Sequence, residues 1–438
     1  MKGLRVGIIG AGRSGTAAAR FLRGLGARVL LSESGRLNGP RLPGIRYETG
    51  KHTVRLLESD LIIRSPGVPG HLPILKSIRQ KRVPIWSELE LASRYAKYRD
   101  LVAITGTNGK TTTTSLVGAI FKAARRRTLV AGNIGTPLSA VVHSTTAQST
   151  IVLEVSSYQL EDIERFHPTI SAILNVTPDH LEHHGTMRAY AGAKARLFEN
   201  QSAGEVCVLN ADDAWCRRLA RRCKARIFWF SRKRKLQRGI FMDGSDIVVR
   251  WGKIHRRWTL VSSLPGPHNV ENMLAAVAIT LAAGVKVHVI RRVLSRLKGV
   301  EHRLEVTRTL RGVRYINDSK GTNVDSTRVA LASFSSPLVV IMGGQGKGSP
   351  YSPLVPLILS HVKRILLIGE DAPRIAKELK GTAPMDRVQT MRNAVARAAK
   401  VAGPGDVVLL SPACASFDQY RNYEERGRDF KALVWKLK

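Results

Sequence analysis

The run Gly106-Thr107-Asn108-Gly109-Lys110-Thr111-Thr112 has the residue types that hold a phosphate. Glycines let backbone N–H groups close on phosphate oxygens, a lysine reaches the terminal phosphates, and a hydroxyl such as Thr111 can face Mg2+. The standard phosphate loop places a glycine six residues before its lysine. Ile104 occupies that place here, and the glycine sits four before the lysine, at Gly106, so the loop is of a shortened kind. Two further groups could join it. Glu154 ends the apolar stretch Ile151-Val152-Leu153, where a carboxylate must pair with a buried arginine or hold a metal, because a lone buried charge is costly. Asp179-His180 close a second apolar stretch beginning at Ile173, and His180 reads either as a structural residue or as a ligand.

Such a loop needs a strand before it and a helix after it. Residues 101–104 form a short apolar run that predicts a buried parallel strand, and the spacing of Leu116, Val117, Ile120 and Phe121 predicts a helix whose N-terminus favours negative charge. Open α/β sheets bind ligands at the carboxyl ends of their strands, so Lys110, Glu154 and His180 can converge on one crevice. A second glycine turn, Gly10-Ala11-Gly12-Arg13-Ser14-Gly15, lies between a predicted strand over 4–9 and a helix to about residue 25, and a strand over 28–31 leads to Glu33. Alone, this fingerprint points to an NAD-linked oxidoreductase. A simple dehydrogenase has no need of the second loop, however, and the fold that the fingerprint marks hosts many ligands.

The shortened loop resembles the ATP loop of the Mur ligases and of the related folylpolyglutamate synthases. These enzymes use ATP to activate a carboxylate as an acyl phosphate, which an amine then attacks. Ser65-Pro66-Gly67-Val68-Pro69, Gly132-Asn133-Ile134-Gly135 and the Asn269 to Asn272 stretch also resemble Mur ligase motifs. Asp318-Ser319-Lys320-Gly321-Thr322-Asn323 and Ser411-Pro412-Ala413-Cys414-Ala415-Ser416 are similar to motifs of the D-glutamate-adding branch of that family. Departures are mild: Tyr420 and Tyr423 stand where the family often has Phe, and Glu33 where it often has Asp.

The resemblance implies an α/β fold of three domains: a Rossmann-like domain for the UDP-substrate over 1–96, a central P-loop ATPase-like parallel-sheet domain over 97–298, and a Rossmann-like amino-acid-binding domain over 299–438. It implies that residues 106–112, Asn269, Asn272, Arg303 and Asp318 bind ATP, and that Ser14, Glu33 and Asn133 meet UDP-N-acetylmuramoyl-L-alanine. Lys320, Thr322, Lys347, Ser416, Phe417 and Tyr423 would meet D-glutamate. Two Mg2+ ions are expected on Thr111, Glu154, His180 and Lys194, the last as a CO2-derived carbamate; from the residues alone Lys194 is an ordinary helical lysine. Lys110, Glu154, His180 and Lys194 are the expected catalytic set, with domain closure gating turnover.

Composition narrows the alternatives. The chain has 438 residues and 70 basic against 33 acidic side chains, a formal charge of +37. That charge raises a nucleic-acid-binding ATPase as an alternative. It is spread along the chain, densest at 125–127, 217–226 and 232–235, with no nucleic-acid module among the runs. It therefore reads as a solvated surface that attracts anionic substrates. Apolar runs are too short for a membrane span, and Arg5 and Gly10 break up the apolar stretch that would mimic a signal peptide. Cys207, Cys216, Cys223 and Cys414 lack paired metal spacing and read as free thiols in a reducing compartment. A cytoplasmic monomer is expected. Downstream, short strands with charged turns are expected over 205–262, strands over 338–342, 365–368 and 407–410, and a helix near 388–401. Gly343-Gly344-Gln345-Gly346-Lys347-Gly348 suits either an anion loop or a flexible turn.

Overall fold

The computed structural model describes residues 1–37, 40–133, 135–261, 266–296 and 301–438. Ile134, Leu264, Pro265, Gly299, Val300 and the expected domain boundary at 298–299 lie outside the described residues. Two compact units are formed. The first comprises Met1–Val176, His183–Leu260 and Glu271–Val293, and the second Thr177–Glu182, Val261–Val270 and Leu294–Lys438.

The first unit carries two sheets. The N-terminal one is wholly parallel, in the spatial order Arg46–Thr49, Arg28–Glu33, Arg5–Ile9, Leu61–Arg64, Ile85–Ser87. Its inner strands read as near-continuous apolar runs because helices cover both faces, and Val6, Ile8, Ile9, Ile62 and Ile63 are buried. Strand order reverses beside Arg5–Ile9, which places the Gly10–Gly15 turn at the switch point where such sheets bind ligands. The turn is tight. A Cβ on Gly15 would lie 1.9 Å from the Gly10 carbonyl oxygen, and the Ser65 hydroxyl donates to that same oxygen at 2.8 Å.

The second sheet has nine strands, with Asp100–Thr105 between Ser149–Glu154 and Ile170–Ile173, all parallel. Leu101, Ala103, Ile151, Leu153, Ile173, Phe166 and Tyr190 share one buried core around it. At its far edge, Asp246–Trp251 and Ile254–Thr259 form an antiparallel hairpin. The expected all-strand stretch over 205–262 is interrupted by a helix, Ala214–Ala220. Asp213 starts it by accepting the Cys216 N–H at 2.7 Å, a side-chain cap that outweighs the β-rich neighbourhood.

In the second unit a six-stranded sheet runs Glu305–Leu310, Val313–Asn317, Val407–Leu410, Leu338–Gly343, Val362–Ile368, Met385–Gln389. Only the first strand is antiparallel to its neighbour. The helix expected near 388 begins at Met391, because Met385–Gln389 is an edge strand and Thr390 caps the helix. A final helix, Tyr423–Trp435, is capped by Asn422.

Candidate active site

Strand Asp100–Thr105 ends in the glycine loop, and helix Lys110–Ala123 begins at its lysine. Gly109 has φ +84°, and a Cβ there would lie 2.1 Å from Asn272 Oδ1, so only glycine lets the loop pass this amide. The loop is clamped from behind by Asn175. Its Oδ1 accepts the Asn108 N–H at 2.8 Å, its Nδ2 donates to the Asn108 carbonyl at 3.1 Å, and its own carbonyl accepts the Thr107 N–H at 3.0 Å. Lys110 Nζ lies 2.8 Å from both the Gly106 and Thr107 carbonyl oxygens. Lys194, buried on helix Met187–Ala195, reaches the same Gly106 oxygen at 3.0 Å, and its amine sits 4.4 Å from the Tyr190 ring centre. Two lysine side-chain nitrogens thus meet one loop carbonyl.

Glu154, only 3% exposed at its strand end, accepts the Thr111 hydroxyl at 2.8 Å and the Asn133 amide at 2.9 Å. Its partners are a hydroxyl and an amide rather than the buried arginine that sequence reasoning had kept open. A Cβ on Gly132 would come within 2.3 Å of the Glu154 carbonyl oxygen, which explains the glycine that precedes Asn133. Hydroxyl and carboxylate oxygens together are the hard donors that Mg2+ takes, so Thr111 and Glu154 fit the ion. Asn272 accepts the Thr113 hydroxyl at 3.3 Å, and Thr112 is buried in the same helix turn.

A cleft of about 1080 Å³ opens beside the N-terminal glycine turn, lined among others by Gly12, Arg13, Glu33, Arg36, Gly135 and Thr136. Glu33 accepts the Ala11 N–H at 2.8 Å and the Gly35 N–H at 3.2 Å. Partial burial would raise its pKa, yet these two N–H groups and Ser34 hold it below the ordinary carboxylate value. Ser14 lies in the first turn of helix Arg13–Gly24, whereas the Asn133 side chain is directed to Glu154.

In the second unit, Asp179 accepts the Asn323 amide at 3.1 Å, and Lys347 Nζ stands 3.9 Å from its other oxygen. His180, at φ +54°, keeps Nε2 3.5 Å from Asp179 and Nδ1 3.4 Å from Glu182. Lys320 donates to the Tyr423 hydroxyl at 2.8 Å and lies 4.6 Å from that ring's centre. Asp318 is fully buried and accepts the Ser411 hydroxyl at 2.9 Å and the Leu304 N–H at 3.2 Å. Burial pushes its carboxyl up to about 6, against the opposing pull of Arg303, Ser411 and Leu304. Thr322 is half-buried, Ser416 is buried, and Phe417 is 69% exposed. Asn269 is buried at the start of helix Pro267–Ala282.

The glycine loop carrying Lys347 is pinned rather than a flexible turn. Cβ atoms on Gly343, Gly344 and Gly346 would come within 1.9, 2.2 and 2.1 Å of Ile368 O, Ala415 O and Asp371 Oδ2. Sequence reasoning assigned no role to Arg426, which is 1% exposed and joins the two D-glutamate-type motifs. Its guanidinium donates to the Ser319 hydroxyl and carbonyl at 3.0 and 2.9 Å and to the Ala415 and Cys414 carbonyls at 3.1 and 3.2 Å. Burial lowers it to about 10. Asn175 likewise carries no signal of its clamping role in the local sequence. An arginine inside a helix otherwise presenting charges to solvent carries no local signal of burial.

The Mur ligase middle domain family matches residues 104–280, and the Mur ligase glutamate ligase domain family matches 302–414. The chain belongs to the Mur ligase family. Its relatives sharpen that class. It is 47% identical to the UDP-N-acetylmuramoylalanine--D-glutamate ligase of Koribacter versatilis, over 100% of this chain and 98% of that one. It is 45% identical to the enzyme of the same name from Acidobacterium capsulatum (99% and 96%), and 41% identical to that of Clostridioides difficile (100% of both). Among solved structures, the fold is similar to UDP-N-acetylmuramate-alanine ligase MurC of Thermotoga maritima, with TM-score 0.61 and 21% identity over 99% of this chain and 100% of that one. It is also similar to MurF of Acinetobacter baumannii, with TM-score 0.61 and 19% identity over 94% and 86%. Among the described residues no helix is long and apolar enough to cross a membrane.

Proposed function

We propose that this chain is an ATP-dependent amide ligase that joins D-glutamate to UDP-N-acetylmuramoyl-L-alanine in peptidoglycan precursor synthesis. The observation that carries the reading is the cluster in which Lys110 and Lys194 meet the Gly106 carbonyl while Thr111 meets Glu154. Full-length relatives at 41–47% identity that bear this activity in their names support it.

On this reading the loop N–H groups and Lys110 hold the ATP phosphates, and Thr111, Glu154, His180 and Lys194 hold Mg2+ as two ions, with Lys194 carbamylated. Mg2+ supplies charge neutralisation on the phosphates. The L-alanyl carboxylate oxygen bonds to the γ-phosphorus as the bond to ADP breaks. The amine of D-glutamate then attacks the acyl carbon, phosphate leaves, and the nitrogen loses a proton. Loop amides and Lys110 act by placing charge where the phosphoryl group passes. Asn269, Asn272, Arg303 and Asp318 complete the ATP contacts, and Ser14, Glu33 and Asn133 those to the UDP-substrate. Lys320, Thr322, Lys347, Ser416, Phe417 and Tyr423 serve D-glutamate, whose two carboxylates require donors. A distal ammonium, as in lysine or diaminopimelate, would be repelled.

The domains are read as 1–96, 97–298 and 299–438, and the protein as a cytoplasmic monomer whose basic surface serves no nucleic acid. The test is ADP release and product mass with UDP-N-acetylmuramoyl-L-alanine and D-glutamate, L-glutamate, L-lysine, meso-diaminopimelate or D-alanyl-D-alanine offered separately. Product is expected with D-glutamate. Equal turnover with lysine or diaminopimelate would overturn the substrate assignment.

A further inference from the structure

Three side chains outside the phosphate loop converge on one point. Glu161 follows the short helix Ser157–Leu160, and His183 and His184 end the helix Leu181–His184. His183 Nε2 lies 2.7 Å and His184 Nδ1 3.5 Å from the same carboxylate oxygen, Glu161 Oε1, and the three donor atoms all fall within 4.8 Å of one another. We propose that Glu161, His183 and His184 form a Zn2+ site distinct from the oxygen-rich magnesium centre.

The surroundings are those of a ligand set already oriented. Metal-bound imidazoles and carboxylates are usually fixed by hydrogen bonds from their far atoms. Here the second nitrogen of His184 lies 3.0 Å from the Ser157 hydroxyl, and the second oxygen of Glu161 accepts from Arg64 at 2.6 Å. The Tyr158 ring, 4.4 Å from that of His183, fixes the imidazole plane. Arg64 does not cancel the site's charge, since Asp162 also pairs with it. One net negative charge remains for a cation. Two imidazoles and one carboxylate are a set that zinc takes in tetrahedral sites, leaving a fourth position for water. The side chains are 22%, 12% and 4% exposed, enough for entry from solvent. Nitrogen donors also favour Zn2+ over Mg2+, so the two ions would sort by donor type. Uptake would displace the proton between His183 and Glu161 to solvent. The other such cluster among the described residues, Glu301, His302 and Glu305, is weaker: it offers one imidazole, and Lys431 already pairs with both carboxylates.

The experiment uses the full-length chain, stripped with a chelator and returned to millimolar Mg2+ so that oxygen-rich sites are filled. Zn2+ is then titrated against a chromophoric chelator, and Co2+ uptake is followed by its visible absorption. One equivalent is expected, with Zn2+ affinity lowered roughly a hundredfold in His183→Arg. That variant removes the ligand nitrogen but places a guanidinium that can still donate to Glu161, which preserves the local pairing; a melting curve matched to the wild type checks this. His184→Asn is the second arm, with the same expected loss. No uptake by the wild type, or unchanged affinity in His183→Arg, would overturn the proposal.

Discussion

Lys110 and Lys194 of the first unit hold their amines on backbone carbonyls of the phosphate loop, at 2.8 to 3.0 Å. Lys320 and Lys347 of the second unit are held by side chains instead, the Tyr423 hydroxyl at 2.8 Å and Asp179 at 3.9 Å. A carbonyl is fixed by the fold, so the first pair is placed in advance by the loop itself. A hydroxyl or carboxylate sits at the end of a side chain that can rotate, so on the proposed function the second pair would exchange its partners for those of an incoming amino acid. Rigidity in the second unit lies one layer back, in Arg426 and in the glycines packed against Ala415 and Asp371. The phosphate-loop region is held at its contacts, the Lys320 and Lys347 region behind them.

The strongest way to break this contrast is Lys110→Ala. Charge contacts of this kind contribute about 3–4 kcal/mol to the transition state, so ADP release should fall roughly a hundred- to thousandfold with the melting temperature little changed. Lys194→Ala should be nearly inactive as well but partly rescued by millimolar short carboxylates, which would stand in for the carbamate. Full activity of that variant in CO2-free buffer would leave Lys194 a structural lysine.

Arg426→Met probes the layer behind Lys320 and Lys347. It leaves the Ser319, Cys414 and Ala415 carbonyls without their buried donor, a loss of about 3 kcal/mol. Denaturant unfolding should show it, and a stability equal to the wild type would refute the bracing role.

Asp318 adds a pH signature to the same region. Its carboxyl is raised from 3.8 to about 6 by burial, so the unfolded chain gives up this proton at lower pH than the folded one. Its contribution should therefore be full below pH 4, decline as pH rises from about 4 to about 6, and stay flat above. The decline is about 3 kcal/mol at most. Asp318→Asn should remove that slope in melting curves taken across the range; an unchanged slope would assign it to other groups.

The smallest effect is expected at Lys320→Ala, where a partner-exchanging lysine is lost. KM for D-glutamate should rise about tenfold, about 1.4 kcal/mol, while substrate-dependent acyl phosphate formation persists. A collapse of acyl phosphate formation would show that Lys320 is as preorganised as Lys110, and the contrast between regions would fail.

Much of this was legible without coordinates where one stretch of chain contains both cause and effect. The strand, glycine turn and helix around Lys110 follow from local backbone needs and apolar spacing, and the structure has them at Asp100–Thr105 and Lys110–Ala123. The second glycine turn and the strands at Leu338–Gly343 and Val407–Leu410 were readable for the same reason. The helix at Ala214–Ala220 was not, because a single capping aspartate competed with a strand-rich neighbourhood.

What the tertiary structure alone decided is which polar groups meet. Glu154 takes Thr111, 43 residues away, rather than an arginine; Asn175 clamps a loop 67 residues earlier; Arg426 reaches Ser319 across 107 residues. Composition and periodicity determine which side chains turn inward, since burial is a property of a face. A buried polar group is worth keeping only if a partner completes its hydrogen bonds, and that partner is chosen by how distant segments pack, which no local spacing records.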